Sequence, residues 1–113
     1  MVPDGLEIRY YRVDGDSPFR VWFLELDARA ATRVALVLER MEAGNLSEVK
    51  SVGGGVFERR IDFGPGYRVY FGRDGEHIVV LLGGGTKVRQ QRDIVAAKIR
   101  WNDYKGRKTG AQR

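Results

Sequence analysis

The spacing of apolar residues along the chain changes from a strand-like period to a helical one and back again. Leu6–Val13 (LEIRYYRV) alternates loosely and is rich in β-formers, which predicts a first strand. Ser17 followed by Pro18 is a helix-start signal, a hydroxyl cap before a proline whose missing N–H costs nothing at the first helical position. Phe19, Trp22, Phe23 and Leu26 then share one face of a short helix, and Asp27 is positioned to cap the next one. Val34, Val37, Leu38 and Met41 follow the i, i+3, i+4, i+7 pattern, with Gly44 placed to stop the chain in a left-handed conformation. Residues 17–44 therefore read as a helical hairpin.

The period then drops to two. Ser51–Gly55 (SVGGG) reads as flexible and Val56–Phe63 (VFERRIDF) as a strand. Phe57, Ile61 and Phe63 fall on one side of it and Glu58, Arg60 and Asp62 on the other. Gly64-Pro65-Gly66 turns the chain and Tyr67–Phe71 (YRVYF) returns, with Arg68 and Tyr70 on one side and Tyr67, Val69 and Phe71 on the other. Arg73–Gly75 is a second hairpin signal, and the continuously apolar His77–Leu82 predicts a strand buried on both faces. After the glycine-rich Gly83–Lys87, residues 90–104 read as a closing helix with Ile94, Ala97, Lys98 and Trp101 along one side. The predicted order is β-α-α-β-β-β-α in a single α+β domain over residues 1–105, followed by a basic, flexible tail at 106–113.

Composition adds exclusions. The chain of 113 residues has no cysteine, so thiolate nucleophiles, disulfides and sulfur metal sites are absent, and its single histidine rules out a two-histidine nuclease. No apolar run approaches a membrane span and no signal-peptide pattern opens the chain, so a cytoplasmic protein without a membrane partner is expected. Neither glycine cluster satisfies a dinucleotide or phosphate-loop fingerprint. Arg60 between Glu58 and Asp62 favours ion pairing over metal binding, so neither a metal nor a cofactor is expected.

Charge is uneven: residues 1–49 carry net −3 and residues 50–113 net +8. Residues 98–113 alone hold net +5, so the excess reads either as a polyanion-binding face or as a solvated tail. Arginines on the hairpin strands are suited to gripping a phosphate through paired N–H donors, and neighbouring aromatics to stacking on bases. The alternative is an exposed face of weak ion pairs.

The run from Val49 to Phe71, V-K-x-V-G-G-G-V-x-E-x-R-I-x-x-G-P-G-Y-R-V-Y-F, resembles the RelE/ParE superfamily of bacterial toxins, and more narrowly its HigB-like, phage-derived addiction-module branch. The segments SPFRVWFLEL, VVLLGGGTKVRQQRDIVAAK and WNDYK extend the resemblance over nearly the whole chain. It implies a RelE-like fold, with two N-terminal helices on a small, twisted, mostly antiparallel sheet and a C-terminal helix. It also implies a type II toxin that cleaves mRNA on the ribosome without a metal and is neutralised by a cognate antitoxin, expected to be a helix-turn-helix protein. By the same resemblance Arg68 takes the position of the phosphate-contacting arginine, Arg60 a basic position near the scissile phosphate and Lys87 the basic position after the last strand. Asp93 falls near the C-terminal acidic or tyrosine position, and Glu58 stands where relatives carry a lysine. Glu58 or Asp93 is the expected base and Lys87 the expected acid, with Lys50, Arg59, Tyr70 and Arg89 as further RNA-contacting residues. The superfamily also contains gyrase poisons without nuclease activity, and a non-toxic interaction domain is the third reading.

Overall fold

Local capping sets the first half of the fold in a computed structural model that describes residues 5–111, with side chains over residues 5–109. After β1 (Glu7–Tyr10), helix α1 (Pro18–Leu24) starts where Ser17 Oγ accepts the Arg20 N–H at 3.1 Å. Helix α2 (Ala28–Glu42) starts where Asp27 Oδ1 accepts the Ala30 N–H at 2.9 Å. Each such cap is worth about 1 kcal/mol. α2 ends as expected, with Gly44 at φ 92° and its N–H on Met41 O.

Strands β2 (Val49–Gly53), β3 (Val56–Ile61), β4 (Tyr67–Asp74) and β5 (Ile78–Thr86) follow, then a 3₁₀ turn (Lys87–Arg89) and helix α3 (Gln90–Ala111). The sheet order is β1-β5-β4-β3-β2, antiparallel throughout except for the parallel β1–β5 pair. The architecture is thus α+β and mostly antiparallel, with one strand more than the predicted order. The additional strand is β2, whose Val49–Gly53 pairs antiparallel with β3 through a bulge. Its glycines turn the chain with φ of 93°, 64° and 82° at Gly53, Gly54 and Gly55.

The sheet is covered on both faces. Phe19, Val34, Val37 and Met41 of α1 and α2 pack on Val69, Phe71, Val79 and Leu81. Ile94, Ala97 and Trp101 of α3 pack on Val56, Tyr70, Val80 and Leu82 on the other side. Val79–Leu82 are fully buried and divide between the two cores, as a strand without polar alternation should. Each tryptophan lies flat on a strand glycine, Trp22 over Gly84 and Trp101 over Gly72, where a methyl group would overlap the ring. That packing explains why β5 continues through Gly83–Gly85, which the sequence alone places beyond the strand.

Residues 106–111, read from the sequence as part of a basic tail, continue α3 as helix; residues 112–113 and 1–4 lie outside the described residues. Tyr104 Oη donates to Asp74 at 2.7 Å and accepts from Arg9 at 3.0 Å, and Lys108 pairs with Asp74. These contacts carry the helix well past residue 104. Among the described residues no helix is long and apolar enough to cross a membrane.

Candidate functional site

The Gly64-Pro65-Gly66 turn closes with Gly66 N–H on Phe63 O, with both glycines at positive φ, and sets the β3–β4 register. That register places Arg60 directly opposite Arg68 and Glu58 opposite Tyr70, while β2 brings Lys50 opposite Glu58. Opposite residues project from the same face at roughly 5 Å spacing, so these five side chains share the α3 side of the sheet. α3 covers the Tyr70 end, and a two-part groove forms at the Arg60–Arg68 end.

One part, about 420 Å³, is lined by Glu48, Lys50 and Glu58. The other, about 430 Å³, is lined by Lys87 and the Gly64-Pro65-Gly66 turn. Arg60, Asp62 and Arg68 border both. The register sets the two arginines side by side on adjacent strands, with Lys87 at one end of the groove and Lys50 at the other.

The two arginines have unlike surroundings. The Arg60 side chain is 62% exposed and its Nε donates to Asp62 at 3.1 Å. Arg68 is only 6% exposed, and its Nε and Nη1 are buried with no hydrogen-bond partner among the described residues. The nearest carboxylate is Glu58, 1% exposed, at 3.7 Å from Arg68 Nε, beyond hydrogen-bonding distance. Lys50 Nζ lies 3.7 Å from the other Glu58 oxygen, and Gln90 Nε2 donates to Glu58 at 2.9 Å. A buried donor left unmade costs about 1–3 kcal/mol, so Arg68 is poised for a ligand rich in acceptor oxygens. An anion such as a phosphate fits that requirement, in a groove where four cations stand against the carboxylates of Glu48, Glu58 and Asp62.

Several expected site residues lie elsewhere. Arg59 projects to the opposite face, is buried, and pairs with Glu48 at 3.1 Å; it does not line the groove. Tyr70 is fully buried beneath α3 and has no face free for stacking on a base. Burial, followed by the Glu58 carboxylate, raises its phenol pKa well above the ordinary value, so it stays protonated near neutral pH. Arg89 is exposed on the 3₁₀ turn but outside the groove.

Asp93 does not line the groove, although its carboxylate rests on Gly85, the register partner of Arg68. It borders a different cleft, and burial raises its pKa against the opposing pull of Arg89, Arg100 and Arg92. Gln90, by contrast, was not singled out from the sequence. Its bond to Glu58 spans 32 positions, and no local pattern marks it.

No protein-family model matches the chain. It is similar to an uncharacterized protein of Haemophilus influenzae, 42% identical over 82 residues that make up 72% of this chain and 83% of that protein. The chain belongs to the same family as that Haemophilus protein.

Proposed function

We propose that this family member is the toxin of a type II toxin–antitoxin pair, of RelE/ParE type, and that the Arg60–Arg68 groove cleaves mRNA on the ribosome without a metal. The observation that carries the reading is Arg68, a buried guanidinium with two N–H donors unmatched among the described residues, bordering a groove that also holds Arg60, Lys50 and Lys87 beside the carboxylates Glu48, Glu58 and Asp62. In this reading the scissile phosphate sits across Arg68 and Arg60. As the ribose 2′-oxygen attacks phosphorus and the bond to the 5′-oxygen breaks, the arginines meet the negative charge that accumulates on the phosphoryl oxygens. Lys87, exposed at one end of the groove, is assigned to protonate the leaving 5′-oxygen.

Glu58 is held by Gln90 between Arg68 and Lys50, and its role here is to orient Arg68. Asp62 is the exposed carboxylate that borders both parts of the groove. It becomes free to accept the 2′-hydroxyl proton when Arg60 turns from it to the phosphate. The ribosome supplies the in-line geometry of the mRNA, a positioning effect.

The test is primer extension on an mRNA under translation in a purified system, with wild type and Arg68→Ala, with and without ribosomes. Cuts that require both ribosomes and Arg68 are expected. Cuts retained by a folded Arg68→Ala protein would remove the groove from the reaction. Growth arrest without any cut would redirect the reading to gyrase, with DNA supercoiling as the next assay.

A further inference from the structure

β1 accompanies β5 only part of the way. Their register ends at Tyr10 opposite Leu81, and the Tyr11 N–H makes the last bond, to Leu81 O, before the chain turns off through the Val13–Asp16 bridge. From Gly83 to Thr86, β5 pairs with β4 on one side, and among the described residues no strand pairs with its other side. Open strand edges are normally blunted by a bulge, a lysine or a proline. The opposite edge of the sheet follows that rule, since β2 carries Lys50 and a bulge. Residues 83–86, three glycines and a threonine, make a short edge between a register shift in the β4–β5 ladder at Leu82 and Lys87, with Gly84 and Thr86 half-buried and Gly83 and Gly85 buried.

A cleft of about 330 Å³ borders this edge at Gly83 and Gly84. Val21 and Trp22 of α1 form its apolar wall, and Val21 is 48% exposed. Asp93 and Arg100 of α3 form the polar wall on the other face of the sheet, with Asp16 and Glu25 also bordering the cleft. The cleft is therefore acidic on a chain whose formal charge is +5. Its one cation is engaged, since Arg100 Nη1 donates to Leu82 O at 2.9 Å. Asp93 Oδ2 is buried and has no hydrogen-bond partner among the described residues.

We propose that the outer edge of Gly83–Thr86 docks an extended segment of a partner protein, which joins the sheet as an added strand with an apolar side chain against Trp22 and a lysine or arginine against Asp93. Main-chain bonds along the edge supply affinity, and side chains alternating between the two walls supply selectivity, as in other strand-addition interfaces. The carboxylates set the charge of the occupant. This site is separate from the Arg60–Arg68 groove and stands whether or not that groove cleaves RNA.

The experiment selects binders to the purified full chain from a displayed library of random linear octapeptides. A selected peptide is then titrated into isotope-labelled protein while amide and indole shifts are followed. Enriched peptides are expected to alternate apolar residues and to carry a lysine or arginine. Shifts should centre on the Gly83–Thr86 amides and the Trp22 indole, and alternate-residue N-methylation of the peptide should abolish binding. Norleucine in place of the basic residue should weaken binding about tenfold on wild type and less than twofold on Asp93→Asn. The wild-type arm stands alone if that variant fails to fold. No enrichment, shifts confined to the Arg60–Arg68 groove, or indifference to N-methylation would overturn the proposal. Movement of the same amides on raising protein concentration alone would also overturn it, in favour of self-association.

Discussion

Glu58→Gln removes one charge from the most enclosed ion pair among the described residues while keeping nearly the same shape. Arg68 lies on β4 between β3 and β5, with only 6% exposure, so it cannot follow its lost partner into solvent. At 3.7 Å the attraction between Glu58 and Arg68 amounts to about 4.5 kcal/mol in an effective dielectric near 20. The neutral amide recovers part of this because its own desolvation is smaller. Removing one member of a buried pair costs about 3–5 kcal/mol, and the separation beyond hydrogen-bonding distance argues for the lower end, about 3 kcal/mol. With a urea m-value of about 2 kcal/mol/M, the unfolding midpoint should fall by about 1.5 M. Arg60→Gln, at a side chain 62% exposed, should change stability by less than about 0.5 kcal/mol. Added phosphate should stabilise Glu58→Gln more than wild type, because the anion takes the place of the lost carboxylate beside Arg68. A loss below about 1 kcal/mol, or equal effects of the two substitutions, would refute this account of Glu58.

Other substitutions separate packing from chemistry. A methyl on Gly72 would overlap the Trp101 ring, with Cδ2 only 2.6 Å away, so Gly72→Ala should cost about 3 kcal/mol in urea unfolding, and Trp101→Leu in the same chain should relieve most of it. Tyr70→Phe deletes a buried hydroxyl that has no hydrogen-bond partner within normal geometry among the described residues, so stability should change by less than about 1 kcal/mol and RNA cleavage should persist. Loss of cleavage in that variant would return Tyr70 to the site. The hydrogen bond from Lys108, followed by that from Tyr104, lowers the Asp74 pKa below its ordinary 3.8. A lowered carboxyl pKa stabilises the fold above the unfolded value, and that contribution disappears as pH falls through the folded one. The stability gap between wild type and Asp74→Asn should therefore be constant above about pH 5 and shrink below pH 3.8; a gap independent of pH would refute the assignment.

What the sequence determines by itself is local. The caps at Ser17 and Asp27, the stop at Gly44 and the Gly64-Pro65-Gly66 turn each act over a few residues. Once that turn is formed, period-two alternation requires Arg60 and Arg68 to share a face, so the centre of the candidate site was legible before any contact was known. The rest depended on partners distant along the chain. β2 becomes a strand because β3 completes its backbone hydrogen bonds, which no pattern within SVGGG announces. Gly83–Gly85 become strand because Trp22 and Asp93, from helices before and after, rest on them. Arg59 and Tyr70 carry the residue types of an RNA surface, but the helices packed on each face decide their burial. α3 crosses the sheet so that Asp93 rests on Gly85 and does not line the groove, while Gln90 reaches Glu58. Alternation specifies which side of a strand a residue occupies; only packing specifies what covers that side, because burial arises from surfaces that meet only when the chain is folded.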